Sequence, residues 1–215
     1  MPARRGNVGD PTTRNALLDA AQHLMVTEGY AAATTRRVAA EAGVNSALVF
    51  YYFESLDGMF VALFQRGAER SFERLQRALA SPQPLWSFWD LIHDASNSAL
   101  TMELIALANH RKVIRQELAE YSRRFRRAQL DVLSAVLEGY GVDPQRWPAA
   151  AVVVILASIS RYLLMEEAVG VDVGHAETEA LVEDFIRSLE GARRADGTGV
   201  AKRGERRAGE PGLTG

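Results

Sequence analysis

Residues 34–53 read TTRRVAAEAGVNSALVFYYF and predict two short helices joined by a tight turn. One of the two opening threonines can cap the first helix with its hydroxyl, and Gly43 can end it in the left-handed conformation. Asn45 can cap the second helix, which then runs to Phe53. Two short helices around a glycine-containing turn are typical of the helix-turn-helix motif, whose second helix enters the major groove of DNA. An ordinary corner between two core helices would give the same pattern.

The composition sets limits on the class of protein. The chain has 215 residues, of which 47% are hydrophobic and 24% charged, so it can bury a substantial core. It contains no cysteine, which excludes disulfides, thiolate zinc sites and cysteine nucleophiles and agrees with a cytoplasmic location. The net charge is −2, so any binding to nucleic acid must depend on a local patch.

A membrane location is not expected from the apolar segments. The first residues lack the apolar run of a signal peptide. The longest uncharged apolar stretch, Pro148 to Ser160, is shorter than the roughly 20 residues that a membrane-spanning helix needs.

Helical periodicity extends over most of the chain, and no strand pattern is visible. We therefore expect an all-α protein with a flexible arm (residues 1–10), a three-helix head (11–54), a helical body (55–191) and a disordered tail (192–215). The Asp10-Pro11 step opens the first helix of the head, and Gly191 closes the last helix of the body. Body helices are predicted over Ser55–Ala80, Leu85–Ala95, Leu100–Leu107, Arg111–Tyr140, Trp147–Val169 and Glu177–Glu190. On the first of them, a row of arginines (Arg66, Arg70, Arg74 and Arg77) is interpreted as a solvated face, with Glu73 paired to Arg77.

The head resembles the amino-terminal domain of the TetR family of transcriptional regulators. The resemblance spans about residues 14–60 and is carried by small groups of residues at fixed offsets. These are Leu17-Leu18, Ala20-Ala21, Glu28-Gly29-Tyr30, Thr34-Thr35, Val38-Ala39, Ala42-Gly43-Val44 and Phe50-Tyr51-Tyr52-Phe53. The body is similar to the family only in its length and helical content. The resemblance implies a helix-turn-helix DNA-binding head followed by a body for ligand binding and dimerisation.

The same resemblance implies which residues contact DNA. Thr35 and Arg36 would touch the DNA backbone or a nearby base. The front of the second short helix would lie in the groove, and the aromatic residues behind it would reach the backbone and base edges; these residues are Ser46, Ala47, Leu48, Phe50, Tyr51 and Tyr52. The chain departs from the family pattern at Phe50, usually Tyr, at Tyr52, often His, and at Leu56, commonly Lys. Arg4 and Arg5 of the arm can compensate for the polar contacts that these changes remove.

The function implied is a dimeric, ligand-responsive repressor that binds palindromic operator DNA and is released by a small hydrophobic effector. One alternative is an all-helical enzyme or lipid-binding protein with an incidental helix-turn-helix corner, and another is an architectural DNA binder without a ligand. Evidence for catalysis is weak, because the four histidines are scattered and no pair has the i,i+4 spacing of a helical metal site. We expect no catalytic residues, no metal and no cofactor.

Aromatic residues with polar tips indicate where the body binds its ligand. Trp86, Trp89 and His93 share one face of a predicted helix, where Met102, Tyr121 and Phe125 from later helices can meet them. These side chains could equally fill the core. Arg161 interrupts an apolar helix, so it should meet Glu166, an acid across the dimer, or an anionic group of the ligand. The dimer interface is expected on Trp147–Val169 and Glu177–Glu190.

Overall fold

A computed structural model describes residues 10–95 and 98–194 of the chain. These residues form nine α-helices and a 3-10 turn, with no strand among them. The helices are α1 (Pro11–Glu28), α2 (Thr35–Glu41), α3 (Ala47–Phe53), α4 (Leu56–Leu79), α5 (Pro84–Ile92), α6 (Ser98–His110), α7 (Lys112–Gly139), α8 (Ala149–Ala168) and α9 (His175–Glu190), and the 3-10 turn is Tyr30–Ala32. The all-α prediction is confirmed, while Arg4, Arg5 and nearly all of the predicted tail lie outside the described residues.

The caps of α1 and α2 form as the sequence predicts. Asp10 accepts a hydrogen bond from the Thr12 amide at 2.9 Å, and Thr34 accepts one from the Arg37 amide at 3.4 Å. Gly43 follows α2 with φ +66°, and the Asn45 side chain accepts from the Ala47 amide at 2.8 Å. Helix α3 begins at Ala47, one residue later than an Asn45 cap predicts, and Ser46 stands at the cap position without a side-chain hydrogen bond to the helix. Two short helices with a turn between them are thereby fixed at a defined angle.

The junction between α3 and α4 depends on Gly58. A Cβ at this position would lie 2.1 Å from the backbone oxygen of Phe53, a distance that no side chain can occupy. The Gly58 amide donates to the Ser55 hydroxyl at 2.9 Å, so Ser55 caps α4. The end of α3 and the start of α4 are therefore held in close contact.

Two hydrophobic clusters make up the core. The first combines head residues such as Leu17, Val38 and Val49 with Leu104 and Leu107 from α6. The second lies in the body and combines residues from α4, α5, α7, α8 and α9: Leu75, Leu85, Trp86, Phe88, Trp89, Leu133, Leu137, Val152, Val153, Leu156, Val182 and Ile186. Because α6 contributes to the first cluster, the head shares its core with the body.

The arginine row on α4 is only partly solvated. Arg66 forms an ion pair with Asp19 of α1 at 2.7 Å, and Arg74 forms one with Asp94. Arg77 donates from Nε to the backbone oxygen of Glu73 at 3.3 Å, instead of pairing with its carboxylate as predicted. These contacts tie α4 to α1 and to the segment after α5.

Helix α8 extends beyond the uncharged stretch Pro148 to Ser160, and much of its surface is exposed. It continues through Arg161 to Ala168, and by length and composition it is apolar enough to cross a membrane. Only one side of the helix lies in the core, where Val152, Val153 and Leu156 are buried. A helix with one buried apolar side and one exposed apolar side is also typical of a protein interface.

Candidate nucleic-acid interface and body site

The outer surface of α3 is apolar and exposed. Phe50 is 55% exposed and Tyr51 is 56% exposed, whereas Val49 and Phe53 on the opposite side are buried in the head core. Ala47, at the start of the helix, is also exposed, while Ser46 and Leu48 are half-buried. Leu48 packs against the head core. The residues predicted to enter the groove therefore differ in their access to solvent.

Tyr52 lies differently from Tyr51. It is half-buried, and its hydroxyl donates to the backbone oxygen of Asp10 at 3.2 Å. The rings of Tyr51 and Tyr52 meet edge to face, with centroids 5.1 Å apart. Tyr52 thus ties α3 to the start of α1 and supports the ring of Tyr51, while Tyr51 has the greater access to a partner.

Two adjacent arginines on α2 have different surroundings. Arg37 forms two hydrogen bonds to the carboxylate of Glu28, at 2.8 and 2.6 Å. The hydrogen bond from Arg37, followed by its charge, lowers the pKa of Glu28 below its ordinary value. Arg36 is exposed and forms no ion pair within the described part of the chain. Arg36 is therefore free to bind a phosphate, and Thr35 beside it is half-buried.

Trp86 belongs to the body core. It is buried, and its indole N–H donates to the backbone oxygen of Gly191 at 3.1 Å. The guanidinium of Arg193 lies over its ring, 4.4 Å from the centroid. The polar tip of Trp86 is thus satisfied inside the protein, which is a structural role for a residue predicted to bind ligand.

Trp89 and His93 stack on each other, with ring centroids 4.8 Å apart. Nδ1 of His93 lies 3.3 Å from the hydroxyl of Ser160, which donates to the backbone oxygen of Ile92 at 2.7 Å. Nε2 of His93 lies 3.3 Å from the carboxylate of Glu179. This end of α5 is a polar connection between α8 and α9.

A second aromatic group lies between α4 and α7. Tyr121 and Phe125 stack with centroids 5.3 Å apart, and Phe72 meets both of them edge to face at 5.5 and 5.3 Å. Phe125 packs against the body core and Tyr121 against the head core, so the group lies where the two clusters meet. Burial raises the pKa of the Tyr121 hydroxyl, which is hydrogen-bonded to Ser71. Met102 is half-buried on α6.

Arg161 does not pair with Glu166. The Glu166 carboxylate is bound by the Tyr162 hydroxyl and by Nε2 of His175 at 3.0 Å, and these two partners lower its pKa. Arg161 is exposed and forms no ion pair with the residues that the structure describes. The predicted pair between Arg161 and Glu166 is therefore wrong within one chain, because Tyr162 and His175 already bind the Glu166 carboxylate.

Sequence reasoning missed the polar contacts that connect distant segments. Glu103 of α6 accepts from the Tyr30 amide, and Gln83 bonds to Glu190, Ala192 and Arg194 at the end of α9. No local motif marks either residue, since their partners are 73 or more positions away in the sequence. Within residues 10–95 and 98–194, no cluster of three or more His, Asp or Glu side chains is placed to hold a metal ion.

The head also matches a known family. Residues 17–63 match the model of the bacterial regulatory proteins of the tetR family. Over these residues the chain is similar to the tetR family. The matched range includes residues 34–53, the two short helices and their turn. Members of this family are transcriptional regulators.

Solved structures share the fold over head and body together. A TetR transcription regulator from Haloarcula marismortui is similar with a TM-score of 0.61 and 19% identity, covering 83% of this chain and 94% of its own. The fatty acid degradation regulator FadR from Bacillus halodurans gives 0.61 and 18%, with 86% and 98% covered. A protein from Saccharomonospora viridis in complex with choline gives 0.65 and 16%, with 83% and 97% covered. None of the curated proteins compared with the chain matches it.

Proposed function

We propose that this protein is a transcriptional regulator of the TetR type, a cytoplasmic repressor that binds palindromic operator DNA as a homodimer and is released by a small hydrophobic effector. The observation that carries the proposal is the exposed face of α3, where Phe50 and Tyr51 point away from a core that buries Val49 and Phe53. Exposed aromatic rings on a recognition helix supply contacts to sugars and base edges.

The neighbouring residues of the head fit this docking. Ala47 leaves room for α3 to approach the groove, and Arg36 offers an unpaired guanidinium for a phosphate. Thr35, Ser46 and Leu48 border the same surface and complete the proposed contact set. Tyr52, tied to Asp10, has the task of holding α3 at the correct angle.

The dimer is proposed on the exposed apolar side of α8 and α9. The exposed large hydrophobic residues on these helices include Val154, Ile155, Tyr162, Met165 and Leu181, and exposed Val169 directly follows α8. An apolar surface of this extent is unfavourable in water and is hidden when the same helices of a second copy pack against it around a two-fold axis. Two recognition helices would then face two half-sites of one operator.

The effector is proposed to bind between α4, α5, α6, α7 and α8, in the region bordered by Trp89, His93, Met102, Tyr121 and Phe125. Trp86 would border the region on the side of the body core, and Arg161 would lie at its edge. The complex of the Saccharomonospora viridis protein with choline supports ligand binding by a protein of this fold. Aromatic walls and a few polar tips suit a small, mostly apolar molecule.

Release from DNA requires a mechanical connection between this region and α3. Helix α4 runs from the head junction at Gly58 to Leu75 in the body core, and α6 packs against the head core. An effector that moves either helix would change the angle or spacing of the two α3 helices. It shifts the equilibrium only if it binds the released conformation more tightly than the DNA-bound one.

The test is the selection of bound fragments from a genomic DNA pool with the purified full-length protein, followed by light scattering of the complex. The proposal expects an inverted repeat whose half-sites are separated by about one helical turn or more. It expects two chains per site. Enrichment of no sequence over the starting pool, or a monomer on the selected DNA, would refute it.

A further inference from the structure

Helix α7 carries a buried glutamine in its apolar row. Gln129 is 3% exposed and lies one turn after Phe125 and one turn before Leu133, both of which pack in the body core. Its Oε1 atom has no hydrogen-bond partner. Burying an amide without a partner is unfavourable, and a leucine at this position would continue the apolar row. The polar group therefore needs an explanation.

Arg126, three residues before Gln129 on the same helix, also has a buried polar atom without a partner. Its Nη1 atom is buried and has no hydrogen-bond partner, and the residue forms no ion pair within residues 10–95 and 98–194. Burial, followed by the positive charge of Arg161 on α8, lowers the pKa of the Arg126 guanidinium. Two arginines thus approach each other with no carboxylate between them.

Acidic side chains of the surrounding elements have other partners. Asp94, before α6, pairs with Arg74, and Glu166 of α8 binds His175. Glu179 of α9 lies against His93. None of these three carboxylates forms an ion pair with Arg126 or Arg161.

We propose that Arg126, Gln129 and Arg161 form an anion site and bind a carboxylate group of the effector. The guanidinium of Arg126 can donate two parallel hydrogen bonds to the two carboxylate oxygens, and Arg161 adds a second positive charge. The Gln129 amide presents a donor or an acceptor, depending on its rotation, to the same group or to a polar atom beside it. The apolar remainder of the effector would lie along Phe125 and Tyr121.

A carboxylate from the second subunit fits these observations less well. It would arrive from the exposed side of α8, where it could reach Arg161. It would not reach Gln129, which is buried beneath that surface. An interior carboxylate can accept a hydrogen bond from Nη1 of Arg126 and, once the Gln129 amide is rotated so that its N–H group takes the place of Oε1, a second one from Gln129. A partner's acid would reach at most the arginines.

The inference rests on the proposed effector-responsive body, but its test measures ligand binding without DNA. Calorimetric titrations of the full-length protein would compare decanoate with 1-decanol and benzoate with benzyl alcohol, pairs that differ mainly in the anionic group. We expect at least one carboxylate to bind more tightly than its alcohol. Arg126→Gln should weaken that carboxylate by about tenfold or more, the scale of a hydrogen bond to a charged group, and leave the alcohol unchanged.

Two further variants make the result specific. Arg127→Gln removes the same charge from the adjacent, exposed position and should leave every affinity unchanged. Gln129→Leu should raise the melting temperature of the unliganded protein, because an unpaired buried amide is removed, and should weaken carboxylate binding. Since Gln129→Leu tests the same site by a stabilising change, the test does not depend on Arg126→Gln remaining folded.

Three results would overturn the anion site. They are the absence of carboxylate binding to the wild-type protein, equal carboxylate affinities in wild type and Arg126→Gln, and a loss of dimer in Arg126→Gln with its carboxylate affinity unchanged. The last result would assign the arginines to an acid of the partner subunit. A carboxylate that binds through Arg126 without changing DNA affinity would instead contradict only the proposed effector release.

Discussion

The carboxylate of Glu103 in α6 accepts a hydrogen bond from the backbone amide of Tyr30 in the head, at 2.7 Å. The rings of Tyr30 and of His110, the last residue of α6, also lie 6.2 Å apart. Arg111, which follows α6, forms an ion pair at 3.1 Å with Asp57 at the start of α4. A body helix thus binds the turn that precedes α2. We therefore expect a movement of α6 to change the positions of α2 and α3.

Replacing Glu103 by Ala should loosen the head. The substitution leaves the Tyr30 amide without its partner, and a hydrogen bond to a charged group contributes about 1.5–3 kcal/mol. Because the site is only partly buried, we expect a loss toward the lower end of this range in the free energy of unfolding, measured with urea. Glu120→Ala, at an exposed position on α7, is the control and should change stability by less than about 0.5 kcal/mol. Equal midpoints for the two variants would contradict the role of Glu103.

Arg36 and Arg37 form a matched pair for testing phosphate contact. Arg36→Ala should reduce DNA affinity for all sequences and lower the slope of log affinity against log salt by about one per subunit. Arg37→Ala should leave that slope unchanged, because Arg37 is bound to Glu28. Fluorescence anisotropy at several salt concentrations measures both slopes. A larger change for Arg37 than for Arg36 would show that the head docks differently.

Local patterns were sufficient to predict the head. The caps of α1 and α2, the left-handed Gly43 and the apolar faces depend on residues within a few positions of one another, and each was confirmed. Of the two tyrosines expected to reach DNA, Tyr51 is exposed and Tyr52 is half-buried. Tyr52 turns inward because its hydroxyl binds Asp10, which is 42 positions away in the sequence. A periodicity argument contains no information about such a contact.

Gly58 should tolerate no side chain. Gly58→Ala would place a Cβ 2.1 Å from the Phe53 backbone oxygen, so the α3–α4 junction must shift. We expect lower stability and weaker DNA binding together. Gly67→Ala is the control on the same helix, because a Cβ there meets nothing within 4 Å. It should stabilise the protein by about 0.5–1 kcal/mol, the difference between alanine and glycine inside a helix.

Glu166 should make stability depend on pH in the acid range. Hydrogen bonds from Tyr162 and His175 lower its pKa from the ordinary value of 4.5. A lowered pKa stabilises the folded state above pH 4.5, and this contribution is lost as the pH falls through the lowered value. The melting temperature of Glu166→Gln should therefore fall below that of wild type at neutral pH and approach it on acidification. A difference that grows toward acid pH would contradict this assignment.

The body was predictable in outline only. Helical periodicity located its helices to within a few residues, yet the roles of the aromatic residues depended on contacts between helices. Trp86 satisfies its indole N–H at Gly191, whereas Trp89 stacks on His93 one turn later. The sequence predicts no role for Arg126 or Gln129, because only the folded structure shows that their polar atoms are buried without partners.

The most direct test of DNA reading by α3 is the affinity of the Tyr51→Ala dimer for the selected operator and for unrelated DNA of equal length. Val26→Ala, which truncates an exposed apolar side chain of α1, is the control and should bind both DNAs as wild type does. We predict that Tyr51→Ala loses about 1–3 kcal/mol of operator binding, while its circular dichroism spectrum and its affinity for unrelated DNA stay nearly unchanged. An operator affinity equal to that of wild type in a folded Tyr51→Ala dimer would contradict the account.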